Sequence, residues 1–133
     1  MSITRINSLG ITDGTIVNGD INASAAIAST KLTGVNDAKA WVNFNGTGTV
    51  AIRASFNVTS ITDGGTGIYT VNFTNALADA NYSVAQTTGA GTGTGKIAIA
   101  FTATPTTTTY KMLTVNFAGT DEDQLYVSVA IFR

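Results

Sequence analysis

Three groups of residues have the types and spacing that a chemical site asks for. Asp121-Glu122-Asp123 sets three carboxylates side by side, the oxygen-donor chemistry that calcium takes. Gly91-Thr92-Gly93-Thr94-Gly95-Lys96 has the look of a phosphate cradle. Trp41, the single tryptophan, offers an aromatic face on which a sugar could stack.

Each group also has a plainer reading. Three consecutive acids in a turn cannot all point at one ion, and no EF-hand spacing surrounds them, so a solvated turn is expected there. Asp13, Asp20 and Asp63 stand beside glycines, where side-chain capping of a turn is the ordinary use of aspartate. A P-loop needs Gly-x-x-x-x-Gly-Lys-Ser/Thr between a buried strand and a helix. Here the spacing is one residue short, Ile97 replaces the Ser/Thr, and strand-like sequence comes next, so residues 89–95 read as a loop at the tip of a domain. Trp41 falls where a strand begins, which favours burial against the preceding segment or a neighbouring subunit.

The rest of the chain carries little that could react. It has no histidine and no cysteine, and only seven Lys and Arg and eight Asp and Glu in 133 residues. Proton transfer near neutral pH and nucleophilic attack rely mostly on the missing types. Glycoside hydrolysis needs a placed pair of carboxylates, yet the acids sit mostly in turn sequence and Glu122 is the only glutamate. The expectation is a non-enzymatic protein with no catalytic residue, no metal and no cofactor. Charged residues make up 11% of the chain, against roughly 25% in an ordinary soluble domain. A surface so poor in charge is expected to be covered by other protein chains. The basic residues are scattered from Arg5 to Arg133, which argues against a nucleic-acid partner. No apolar run approaches the roughly 20 residues that cross a bilayer, and the N-terminus lacks the pattern of a secretory signal. Synthesis in a cytoplasm, without a membrane partner, is expected.

Two textures divide the chain into an N-terminal arm, 1–37, and a β-sandwich domain, 38–133. In the arm, Ile21, Ala25, Ala28 and Leu32 fall at helical spacing behind Asp20 as N-cap, predicting one short helix. Beyond it, apolar and polar residues alternate. Val50, Ile52, Ala54, Phe56 and Val58 alternate with Arg53, Ser55, Asn57 and Thr59. That period of two predicts one strand with the Val/Ile/Phe set in the core. Alternation recurs at Tyr69-Val71-Phe73, Tyr82-Val84, Ile97-Ile99-Phe101 and Leu113-Val115-Phe117. Leu125 to Phe132 is apolar on both faces, as suits a central strand or one at a subunit interface. Turn chemistry at Asn45-Gly46-Thr47-Gly48 and Asp63-Gly64-Gly65-Thr66-Gly67 separates these segments. The fold expected is all-β: an antiparallel sandwich or jelly roll of about seven or eight strands after an extended arm.

The segment from Ala40-Trp41-Val42-Asn43-Phe44-Asn45-Gly46 through Ile61-Thr62-Asp63 to Gly67-Ile68-Tyr69-Thr70-Val71-Asn72-Phe73 and Ala80-Asn81-Tyr82 resembles a module of tailed-bacteriophage structural proteins. Such modules sit at the distal ends of tail-fibre-like proteins. The run from Gly14-Thr15-Ile16 to Ala26-Ile27-Ala28, closed by Lys31-Leu32, is similar to linker sequence of phage fibres. The resemblance implies a virion-surface protein, a homotrimer. The short arm fits a capsid decoration (cement) protein or a short fibre better than a long one. On that reading Ile11, Ile16, Ile21, Ile27, Leu32 and Trp41 are the expected virion or trimer contacts, and the major capsid protein is the expected partner beside sister copies. The alternative left open is a receptor-binding fibre tip, touching a host surface glycan through distal loops that carry Thr92, Thr94 and Thr107.

Overall fold

The computed structural model describes residues 21, 24, 25, 37–90, 96–100 and 104–133. Residue contacts divide the chain between Val35 and Asn36, and every described strand belongs to the C-terminal unit. The helix expected between Asp20 and Leu32 lies outside the described residues.

Eight strands run in order: β1 (Ala38–Asn45), β2 (Ala51–Phe56), β3 (Val58–Asp63), β4 (Ile68–Phe73), β5 (Ser83–Gly89), β6 (Lys96–Ala100), β7 (Thr109–Asn116) and β8 (Tyr126–Phe132). They form two four-stranded sheets, β2-β1-β8-β5 and β3-β4-β7-β6. Every pairing is antiparallel. The sheets pack as the sandwich that the alternating sequence predicts. Ala40, Val42 and Phe44 of β1 and Val127, Val129 and Ile131 of β8 face Tyr69, Val71, Phe73, Tyr110 and Met112 of β4 and β7. The Phe44 and Tyr69 rings meet edge to face at 5.1 Å between the sheets, a favoured aromatic geometry. β8 is central in its sheet, as its apolar sequence requires.

Two expectations about strand phase are corrected. The stretch 50–59 is two strands in different sheets, not one. Asn57 turns the corner between them with φ of 54°, a left-handed conformation that asparagine adopts more readily than most residues. Its side chain fixes the corner: Nδ2 donates to Lys39 O at 3.0 Å and Asn75 O at 3.2 Å, and Oδ1 accepts from Asn75 N at 2.8 Å. Within β2 the period is also broken. Asn43 pairs with Ala54, but Phe44 pairs with Ile52, leaving Arg53 as the extra residue of a bulge. A bulge shifts the facing of the residues beyond it. Phe56 therefore opposes Trp41 on the outer face and is 55% exposed, not in the core.

The second correction concerns β6 and β7. Tyr110, Met112 and Thr114 point inward and are buried. Leu113 and its partner Ile99 lie on the opposite, outer face with Ile97, while Val115, the partner of Ile97, is itself buried. Phe117 is exposed in the turn beyond β7.

Candidate functional site

Asp63, Asp79 and Asp123 serve structure. Among the described residues no group of three or more His, Cys, Asp or Glu is placed to hold a metal ion. Asp123, expected in a solvated turn, is half-buried and ties one end of the sandwich together. Its Oδ1 accepts from Gly67 N at 2.7 Å and from the Tyr69 hydroxyl at 2.8 Å. Burial, and then the Asp123 carboxylate, push the Tyr69 phenol far above its ordinary range, so it stays protonated as a donor. Gly46 packs directly on Tyr69, where a Cβ would collide with the phenolic oxygen. At the other end Arg133 Nε donates to Asp79 Oδ1 at 2.9 Å. That hydrogen bond, with one from Asn81 N, lowers the Asp79 pKa. Asp63 Oδ1 caps Gly65 N at 2.9 Å.

The surfaces that could do something are the outer faces of the two sheets, and they differ in chemistry. On the first sheet, pairing lines up two rows across all four strands. Phe56, Trp41, Ala130 and Ala85 make one row, and Ala54, Asn43, Ser128 and Thr87 the next. Residues in register on one face are neighbours. An aromatic and small-residue row thus lies beside an amide and hydroxyl row. Together they bound a trough of about 380 Å³ lined by Trp41, Asn43, Ala85, Thr87, Ser128 and Ala130. Beyond the second row Tyr126 pairs with Gly89, with the Arg53 guanidinium 4.7 Å over its ring and Arg53 Nη2 donating to Leu125 O at 2.7 Å. The β2 bulge is what aims Arg53 there.

The outer face of the second sheet is divided. One half is polar and satisfies itself: Asn72 Nδ2 donates to Ser60 Oγ at 3.0 Å and Thr62 Oγ1 at 2.9 Å. The other half is aliphatic. Ile68, Leu113 and Ile99 form a row across β4, β7 and β6, and Ile97 stands beside it, paired with the buried Val115. Ile97 and Ile99 stand 40% and 41% exposed. Lys111 is the charged residue next to this row, paired with Thr70.

The residues expected to make contacts are spread over the chain. Trp41 is the fourth residue of β1 and 39% exposed. Ile21 is exposed; Ile11, Ile16, Ile27 and Leu32 lie outside the described residues, as do Thr92 and Thr94. Thr107 is half-buried, its carbonyl accepting from Leu77 N at 2.8 Å. β5 ends at Gly89, opposite Tyr126 at the start of β8. Thr107 instead precedes β7, whose first residue pairs with Asn72 at the far end of β4. The connections 89–96 and 104–109 therefore leave opposite ends of the sandwich and do not share one tip. Sequence reasoning misses Asn43, Thr87, Ser128, Ile97 and Ile99 as surface groups, because only strand pairing shows which of them share a face. No family model, no curated protein and no solved structure matches the chain.

Proposed function

We propose that this chain is a non-enzymatic structural protein of a phage virion. It is a homotrimeric capsid decoration or short fibre protein that attaches by its N-terminal arm and projects the β-sandwich. The observation that carries the reading is the aliphatic half-face of the second sheet, with Ile68, Leu113 and Ile99 in register and Ile97 beside them. A face of this kind loses free energy by staying in water and gains roughly 25 cal/mol for each Å² of apolar surface covered. Contiguous exposed apolar surface is the usual mark of an association site. The low charge of the chain and the structural use of Asp63, Asp79 and Asp123 support a role in building rather than in reaction. The phage setting rests on the residues of the fibre-like module and of the arm.

Immunogold imaging of virus particles from the source of the sequence tests the reading. Regularly spaced label on the capsid or tail is the expected result. Particles that bind no antibody, or release of sugar from a glycan that a single carboxylate substitution abolishes, would refute it.

A further inference from the structure

The trough on the first sheet is a different kind of surface from the aliphatic rows of the second. We propose that it binds an uncharged saccharide, with Trp41 under the ring and Asn43, Ser128 and Thr87 along its hydroxyls.

A pyranose has one face of C–H groups and a rim of hydroxyls. It needs an apolar plate beside a line of hydrogen-bonding groups, and the two rows supply both. Trp41 opposes Phe56 on one side and Ala130 on the other. Ala130 pairs in turn with Ala85, so the floor beside the indole is low and open to a flat ring. Asn43, Ser128 and Thr87 stand in register on three adjacent strands, spanning roughly 10 Å at the usual strand spacing. The trough volume, about 380 Å³, falls within the ~300–1,000 Å³ of small-molecule sites.

The polar row has capacity to spare. Asn43 Nδ2 donates to Ser128 Oγ at 2.8 Å, which fills one lone pair of the serine and leaves its proton to give. Asn43 Nδ2 also reaches Val127 O at 3.5 Å, so the Ser128 proton and the Thr87 hydroxyl are the groups of the row open to a ligand. The charge pattern selects a neutral ligand. No carboxylate lines the trough. Arg53, beyond the second row, is held by the Leu125 carbonyl and the Tyr126 ring, with Asn43 Oδ1 at 3.5 Å. A second protein copy with an apolar face would cover the Ser128 proton and the Thr87 hydroxyl without adding a partner for either, which is costly; sugar hydroxyls would supply those partners.

The proposal takes Trp41 out of the expected virion or trimer contacts and leaves assembly to the arm and the second sheet, and the test separates the two roles. Trp41 is the only tryptophan, so its fluorescence reports on the trough alone. The full chain is titrated with lactose, maltose, cellobiose and sialyllactose by fluorescence, and by calorimetry for variants without the indole. Saturable binding of at least one neutral sugar is expected. Trp41→Ala should weaken it at least about tenfold, with the circular dichroism of the fold unchanged. Asn43→Ala should weaken it several-fold, and Ile99→Glu should leave it as it was. The proposal is overturned by no saturable binding of a neutral sugar up to about 50 mM, by binding of sialyllactose alone, or by full affinity in Trp41→Ala. Loss of binding in Ile99→Glu would also overturn it. So would a Trp41 emission shift that tracks protein concentration without sugar, since the trough would then be covered by a second copy.

Discussion

Replacing Asn57 with aspartate, an apparently mild change in an outward-facing position, should destabilise the domain more than replacing its aromatic neighbour Phe56. The amide of Asn57 donates to Lys39 O and Asn75 O and accepts from Asn75 N. Aspartate keeps the acceptor but loses both donors, and it turns a carboxylate oxygen toward two carbonyls. A hydrogen bond contributes about 0.5–1.5 kcal/mol net, so two lost donors predict a cost of about 1–3 kcal/mol. Asn57→Gly removes those two bonds and the one accepted from Asn75 N as well, while relaxing the left-handed φ of 54°. Asn57→Ala removes them and adds the left-handed penalty of roughly 1–2 kcal/mol, so alanine should be worse than glycine by that amount. Phe56 is more than half exposed. Phe56→Asp therefore gives up less than half of a buried aromatic's roughly 1.5–3 kcal/mol, about 1 kcal/mol. Urea unfolding monitored by Trp41 fluorescence measures all four variants. The reasoning is refuted if Phe56→Asp is the most destabilising of them, because the stretch 50–59 would then run as one strand with Phe56 in the core.

Other substitutions probe the two ends of the sandwich. Gly46→Ala must push a methyl against the Tyr69 phenol and Gln124 O. It should cost roughly 1–3 kcal/mol, read by thermal unfolding; an unchanged midpoint would mean the Gly46–Tyr69 packing is looser than described. Asp79 has its pKa lowered by Arg133, so its contribution to stability is present above the ordinary aspartate range and is lost as pH falls through the lowered value. Carboxyl-carbon NMR titration should show that pKa rising toward the ordinary value in Arg133→Ala; no movement would mean the pair does not form in solution.

Much of the sandwich is legible in the sequence because its core strands obey the simple period. Tyr69-Val71-Phe73 and Val127-Val129-Ile131 alternate without interruption and are buried as the alternation requires. The central place of β8 is readable from apolar residues on both its faces. What misleads is irregularity that leaves no mark on composition. The Arg53 bulge changes the face of everything after it, and Asn57 ends one sheet and begins another without a glycine or proline to announce it. β6 and β7 are ambiguous for another reason. Met112 and Tyr110 compete with Leu113 for the core, Val115 is buried as well, and hydrophobicity alone does not say which phase wins. The acidic triplet does not reveal that Asp123 caps Gly67, 56 residues away in sequence. The candidate surfaces are least legible of all. The trough joins residues of β1, β5 and β8, and the aliphatic row joins β4, β6 and β7, so each exists only once register is known.

The mass of the native particle in solution tests the account most directly. Sedimentation equilibrium of the full chain at micromolar concentration should give three copies of the 13.6 kDa chain, about 41 kDa. Ile99→Glu, which sets a charge in the aliphatic row, should give a folded single chain. A wild-type protein that stays a monomer at every concentration, or a trimer indifferent to Ile99→Glu, would contradict the claim that sister copies cover the second sheet.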